Sequence, residues 1–423
     1  MNKRRFDRLN WVLCTLLLTA SHTWGQDLPT AKPEDVGVSA EKVEKLSAFM
    51  QSLVDQGKIP GGVTMMARHG KVIHLKAVGM ADREEKKRMQ TDAIFRIASM
   101  TKPITSVAIL MLYDQGKLGL DDPVSKYIPE FKNPQLLVSV DPLKTEPADR
   151  EITIRHLLTH TSGIGYNFTD KIGPIYDQNG ITGGLCNVTE VPLDRMMAKL
   201  GQLPLLFRPG EKWEYGLSAD VLGRVVEKAY GKTLDCCLDE MVFQPLRMKD
   251  TFFRIPSSKM SRLAAAYVPI EHGMKRLEAS DKGPNGQVPD VPYNPANSYL
   301  SGGGGLCSTV EDYMRFCQML LDGGALDGHR LLHEETVQMM RNDQTGRLSA
   351  EFGFGFTVFP AKENVHEQLR GAYAWFGYWS TSFRISPHGN WALVTMSQVG
   401  WNDKETPVWF AEYERIAAEA IEK

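Results

Sequence analysis

The chain has 423 residues, of which 42% are hydrophobic and 24% charged, and its formal net charge is −2. That balance excludes an intrinsically disordered chain, and near-neutrality excludes a nucleic-acid surface or a polybasic membrane patch as the organising feature. The length accommodates two packed lobes at roughly 100–200 residues per domain.

Lys3, Arg4, Arg5 and Arg8 open the chain, and the apolar run Trp11-Val12-Leu13-Cys14-Thr15-Leu16-Leu17-Leu18 follows. With Thr23 and Gly25 in the −3 and −1 places, this pattern predicts a signal peptide over residues 1–25, cleaved near Gly25. The run is too short for a stable membrane anchor, so the expected destination is the periplasm or the exterior. Cleavage would remove four basic and one acidic side chain and take the net charge from −2 to −5. Cys186, Cys236, Cys237, Cys307 and Cys317 then remain, an odd number that cannot all pair within the chain. Cys307 and Cys317 read as small core residues, and the pairing of the five is left open.

Ser39 predicts a capped helix over 40–56 with Val43, Leu46, Phe49, Met50 and Leu53 as its apolar stripe. Strands are expected at 63–68 and 72–78 across the His69-Gly70 turn. A helix running from Ser99 to about Gln115 has Pro103 in its first turn, and Val107 to Met111 make it apolar nearly all round, hence buried. Between 120 and 290 the texture is helical, with pieces at 154–158, 193–200, 218–230 and 234–241 and no sustained strand alternation. Helices at 310–321 and 334–340, strands at 353–359, 382–385 and 391–397, and a helix from Pro407 complete the chain. The layout predicts an α/β (α+β) fold, an antiparallel sheet flanked by helices with an inserted all-α lobe. The expected division is an α/β lobe from 26–98 and 295–423 and a mainly helical lobe over 99–294.

Ser99-Met100-Thr101-Lys102 puts a hydroxyl and an amine three residues apart, on one face of a helix. A neutral lysine amine, the state that burial favours, can take the serine proton, and a helix start offers N–H groups to an oxyanion. Spacing alone is weak support, since Ser39-Ala40-Glu41-Lys42 repeats it at a helix cap. Two further stretches stand out: Trp213-Glu214-Tyr215-Gly216-Leu217, whose tyrosine taken alone reads as core packing, and Tyr373-Ala374-Trp375-Phe376-Gly377-Tyr378, an aromatic strand.

Together with Leu157-Leu158-Thr159-His160-Thr161-Ser162-Gly163, Pro209-Gly210 and Gly303-Gly304-Gly305-Leu306, these stretches give the chain its family likeness. It resembles the serine β-lactamases and DD-peptidases, particularly the class C branch and the allied family VIII carboxylesterases. The resemblance implies Ser99 as acylated nucleophile, Lys102 as its base and Tyr215 as the proton relay. It implies an oxyanion hole from the backbone N–H groups of Ser99 and Tyr378, and Tyr166 as an additional site tyrosine. Two departures bear on the substrate. Leu217 stands where the class C motif has an asparagine, and Trp375-Phe376-Gly377 stands for Lys-Thr-Gly. Replacing a charge-assisted donor by an indole removes about 1.5–3 kcal/mol of carboxylate recognition, so a neutral ester is favoured over an anionic β-lactam.

The expectation is therefore an exported carboxylesterase for small acyl esters, with no metal or organic cofactor. Its alternatives are a β-lactamase, a D-amino-acid peptidase or amidase, an acyltransferase, or a non-catalytic module binding cell-wall fragments. No Gly-x-Ser-x-Gly elbow is present; His156 and His160 lack a metal-ligand setting, and the 301–305 glycine run reads as close backbone packing.

Overall fold

A computed structural model describes residues 27–183, 188–279, 281–283, 286–348, 350–359 and 366–422. The expected signal peptide and Cys186 lie outside them. The principal sheet contains β1 (Gly61–Arg68), β2 (Lys71–Asp82), β3 (Lys87–Arg88), β4 (Thr357–Val358), β5 (Tyr373–Gly377), β6 (Thr381–Ser386) and β7 (Trp391–Ser397). Their spatial order is β4-β5-β6-β7-β1-β2-β3, and every pairing is antiparallel. The two ends of the chain meet at β1 and β7, with Gly62 opposite Ser397 and Arg68 opposite Trp391.

Both faces of this junction are covered, which is why β1 and β7 read as apolar runs rather than as an alternation. Val63, Met65, Ala67, Ala392, Val394 and Met396 face the main core. Met66, Trp391 and Leu393 face the opposite layer, in keeping with the two-residue period of a strand. That layer is built by α1 (Lys45–Asp55) and by α7 (Thr406–Ala420). Ser39 caps the turn Ala40–Val43 by accepting from the Lys42 amide at 3.3 Å, and one residue, Glu44, separates that turn from α1.

On the main-core side lie α2 (Thr101–Asp114), α3 (Ile154–Leu158), α4 (Leu193–Leu200), α5 (Ser218–Tyr230) and α6 (Val310–Leu321). Helix α2 is buried from Thr101 through Leu112 and packs along α5, as its all-round apolar pattern requires. Ser99 itself lies in a 3₁₀ turn, Ala98–Met100, that feeds the helix. Pro103 has no N–H to give the Ser99 carbonyl, so regular α-helical bonding begins beyond it.

The structure also departs from the sequence reading in the helical middle and at residues 353–359. Two strand ribbons interrupt the helical middle, Gln135–Ser139 with Lys144–Pro147 and Tyr267–Ile270 with Gly273–Arg276. Their outer strands are too short and too exposed to show an apolar alternation. The second ribbon docks on the sheet, where the Tyr267 amide donates to Gln398 and the Gly400 amide donates to Tyr267. The strand expected over 353–359 shrinks to β4, because Gly355 adopts φ 90° and turns the chain against Ser106 of α2. At the start of α5 the Ser218 hydroxyl pairs with Ser162 at 2.9 Å.

Candidate active site

The turn carrying Ser99 is pinned from both sides. The Ile97 amide donates to Leu306, the Tyr313 hydroxyl donates to the Met100 carbonyl at 2.9 Å, and the Leu306 amide donates to Thr101 Oγ1 at 3.2 Å. Ala98, fully buried just before the serine, sits at φ 46°. A residue with a Cβ pays roughly 1–2 kcal/mol for that left-handed conformation, which persists only where surrounding contacts impose it.

Four side chains converge there. Lys102 Nζ, on a side chain left 2% exposed, lies 3.1 Å from Ser99 Oγ, 3.0 Å from the Tyr166 hydroxyl and 2.7 Å from the Gly303 carbonyl oxygen. The Tyr215 hydroxyl donates to Ser99 Oγ at 2.7 Å. The Tyr215 ring face meets the same amine, with Nζ 4.6 Å from its centroid. Tyr215 is held by a close crossing of chains: a Cβ on Gly216 would fall 2.1 Å from the Ile164 carbonyl oxygen. The Leu217 amide then donates to Gly165 at 3.2 Å.

The residue that sequence reasoning missed is Asp220, in the first turn of α5 and fully buried. Its Oδ1 accepts from Ser301 Oγ at 2.5 Å and from the Tyr299 hydroxyl at 3.0 Å. Burial pushes its carboxyl pKa up, opposed by these hydroxyl donors and by the nearby Lys102 charge. On the other side Thr105 Oγ1 donates to the Gly302 carbonyl at 2.8 Å. Asp220 and Thr105 thus clamp the 301–305 loop and aim the Gly303 carbonyl at Lys102. The glycines are needed for that approach: a Cβ on Gly303 would fall 2.4 Å from Asp220 Oδ2, and one on Gly302 would fall 2.5 Å from the Ala219 carbonyl oxygen. The available signal was an acid inside the otherwise apolar run Ala219-Asp220-Val221-Leu222.

An aromatic wall surrounds the four groups. His160 lies 5.0 Å from the Tyr215 ring and 5.6 Å from Phe352, and Trp375 lies 5.7 Å from Tyr215 and 5.3 Å from Phe352. Burial, and then the Lys102 charge, push the His160 pKa down to about 3, so this ring is neutral at ordinary pH. His156 closes a capping box with Thr153 at the start of α3. Strand β5 approaches the serine turn so closely that a Cβ on Gly377 would fall 2.2 Å from the Ile97 carbonyl oxygen. Tyr378 follows it, its ring edge-on to Trp379 at 4.9 Å. Tyr166 stacks on Phe168 at 4.8 Å. Leu217 is fully buried ahead of α5, and Phe376 is exposed beside Trp375. Cys307 and Cys317 are buried thiols, as their apolar setting suggested, and with Cys236 and Cys237 they are unpaired.

A serine hydroxyl bonded to both a buried lysine and a tyrosine fits the class of the serine hydrolases, whose serine has a proton acceptor within reach. Residues 46–413 match the family model described as Beta-lactamase, and the chain belongs to that family. It is 32% identical over 409 residues to Esterase EstB of Burkholderia gladioli, covering 92% of this chain and 98% of that one. It is 31% identical over 332 residues to Acyltransferase mokF of Monascus pilosus, covering 74% and 75%. Among solved structures it is similar to "EstCE1, a hydrolase with promiscuous acyltransferase activity", with a TM-score of 0.75, 28% identity and coverage of 88% and 98%. Family, fold and relatives together make the chain a carboxylesterase-like serine hydrolase.

Proposed function

We propose that the protein is an exported carboxylesterase that cleaves small acyl esters through an acyl-enzyme on Ser99. The observation that carries this reading is that Ser99 Oγ lies within hydrogen-bond reach of Lys102 Nζ and Tyr215 OH at once. To take the Ser99 proton, Lys102 must act as the free amine, which has two N–H groups and one lone pair. If the N–H groups go to the Gly303 carbonyl and the Tyr166 hydroxyl, the lone pair faces Ser99.

In acylation, Ser99 Oγ bonds to the acyl carbon while its proton passes to Lys102. The carbonyl oxygen takes up negative charge facing the Ser99 and Tyr378 amides. The acyl carbon–alkoxy bond then breaks, and the alkoxide takes a proton through Tyr215, which regains it from Lys102. Water repeats the sequence in reverse roles and releases the acid. Trp375 and Leu217 support ester over β-lactam, since Trp375 brings no cationic donor for a carboxylate and Leu217 no polar partner for an acylamide. Export rests on the N-terminal pattern alone.

The test is steady-state hydrolysis of p-nitrophenyl esters and of nitrocefin by the wild type and Ser99→Ala. Ester turnover that disappears in the variant, with little nitrocefin cleavage, is expected; fast nitrocefin turnover would reverse the preference. Retained ester turnover in the variant would remove Ser99 from the mechanism. N-terminal sequencing of the same exported protein should begin at Gln26, and a start at Met1 would defeat the export reading. A second reading, transfer of the acyl group to an alcohol, is supported by the likeness to mokF and EstCE1. It would show as a product ester when an alcohol is added to the same assay.

A further inference from the structure

We propose that the rings of Phe376, Trp401 and Phe410 form a shelf for the alcohol part of the ester, selecting alcohols that carry an aromatic group. The proposal rests on the esterase reading and names its substrate class. A relay that protonates the departing alkoxide must touch its oxygen, so the alcohol lies on the Tyr215 side of the scissile bond. From Tyr215 an unbroken line of rings leads outward. Trp375 is 5.7 Å away; Phe376 stacks on Trp375 at 5.0 Å and 22°, and Trp401 stacks on Phe376 at 4.8 Å and 18°. Phe410 backs the pair at 6.0 Å from Phe376 and 5.9 Å from Trp401.

The line follows a strand edge suited to holding an extended ligand. β4 pairs only with Tyr373 and Ala374, so among the described residues the 375–377 stretch, paired with β6 on one side, has no strand partner on the other. Phe376 is one of the large apolar side chains left exposed, at 37%, and it reaches the site through Trp375, which meets Tyr215. The indole N–H of Trp401 donates to Asp403 Oδ1 at 2.7 Å, which directs the polar edge of the ring away and leaves its face to the stack. That carboxylate also disfavours an anionic alcohol. Planar faces and an acid at the rim suit a neutral aromatic ring, which gains both apolar burial and offset stacking.

The test compares 2-naphthylmethyl acetate with ethyl acetate, two esters of one acid, in the wild type, Phe376→Ser, Trp401→Ser and the conservative Trp401→Phe. The wild type should favour the naphthylmethyl ester in kcat/KM. Each serine variant should cut that preference roughly tenfold, and Trp401→Phe should keep most of it. As a readout independent of chemistry, 2-naphthylmethanol fluorescence is titrated with Ser99→Ala protein, with and without Trp401→Ser. Binding is expected to weaken about tenfold in the double variant. If esters are cleaved but the preference ratio does not move, the shelf is wrong and the esterase reading stands. If no ester is cleaved but the alcohol binds through Trp401, the shelf stands and the esterase reading falls. Loss of preference in Trp401→Phe as large as in Trp401→Ser would also overturn the shelf, since the ring alone would not then account for it.

Discussion

The environment of Ser99 Oγ assigns different duties to its two neighbours. Lys102 is enclosed by acceptors and ring faces, whereas Tyr215 donates straight to Ser99 Oγ at 2.7 Å. Tyr215→Phe would keep the ring contacts with His160, Trp375 and Lys102 and remove only the hydroxyl. The expected result is a fall of roughly 100–1,000-fold in kcat with little change in KM and in melting temperature. Steady-state kinetics with a thermal melt checks this; a kcat within about threefold of wild type would show that protons reach the leaving group by another route. At this scale the sequence was informative where the chemistry is local. Ser99 and Lys102 are three residues apart and could be paired by helical spacing. Asp220 could not be assigned, because an acid in an apolar run is equally a mistake in the helix register until its partners Tyr299 and Ser301 are seen.

Among the elements, the 301–305 loop has the largest leverage on the site per residue. It contributes no side chain to the chemistry, yet its Gly303 carbonyl takes one of the Lys102 N–H groups, and Asp220 and Thr105 hold it in place. Gly303→Ala would put a methyl group 2.4 Å from Asp220 Oδ2, so either the carboxylate or the loop must shift. A drop of roughly 10–100-fold in kcat/KM is expected, larger than the accompanying loss of stability would explain. Kinetics on Gly303→Ala and on Gly304→Ala separates the cases, and wild-type rates in the first would show that the carbonyl does not hold Lys102. The helices were legible in the sequence where an apolar stripe and a cap coincide, as at Val310–Leu321, whose N-cap Thr309 accepts from the Asp312 amide. The ribbon at Tyr267–Arg276 was not, because docking on the Gln398–Gly400 edge, not its own pattern, stabilises it.

Over the whole molecule, buried titratable groups set how stability responds to acid. His160 and His74 are driven down to about 3 and about 4, chiefly by burial, against an ordinary value of 6.5. Below that ordinary value the unfolded chain binds protons that these folded rings refuse. The stabilisation they provide is complete above about pH 6.5 and is lost as the pH falls towards 3–4. Asp312 acts in the opposite sense: burial raises it to about 7, so its folded form gains protons first as the pH drops. The informative quantity is therefore the difference between the wild type and His160→Gln. Urea unfolding at pH 7.5 and pH 5 should show the variant's deficit shrinking by about 2 kcal/mol at the lower pH. A deficit that does not change would mean His160 titrates freely in the fold.

By itself the sequence determined the order of elements, the antiparallel sheet drawn from both ends, the Ser99–Lys102 pair and, through its ordered motifs, the family. These follow from patterns repeated within a few residues or kept in sequence order, so they need no knowledge of distant contacts. The family resemblance implied that Tyr215 serves a serine 116 residues away, but the tertiary structure alone decided that Lys102 meets a carbonyl 201 residues away. It alone placed Asp220 behind that carbonyl and set Trp401 and Phe410 in line with Trp375. The reason is physical: such contacts arise from packing between elements far apart in the chain, and burial there decides which polar groups must find each other.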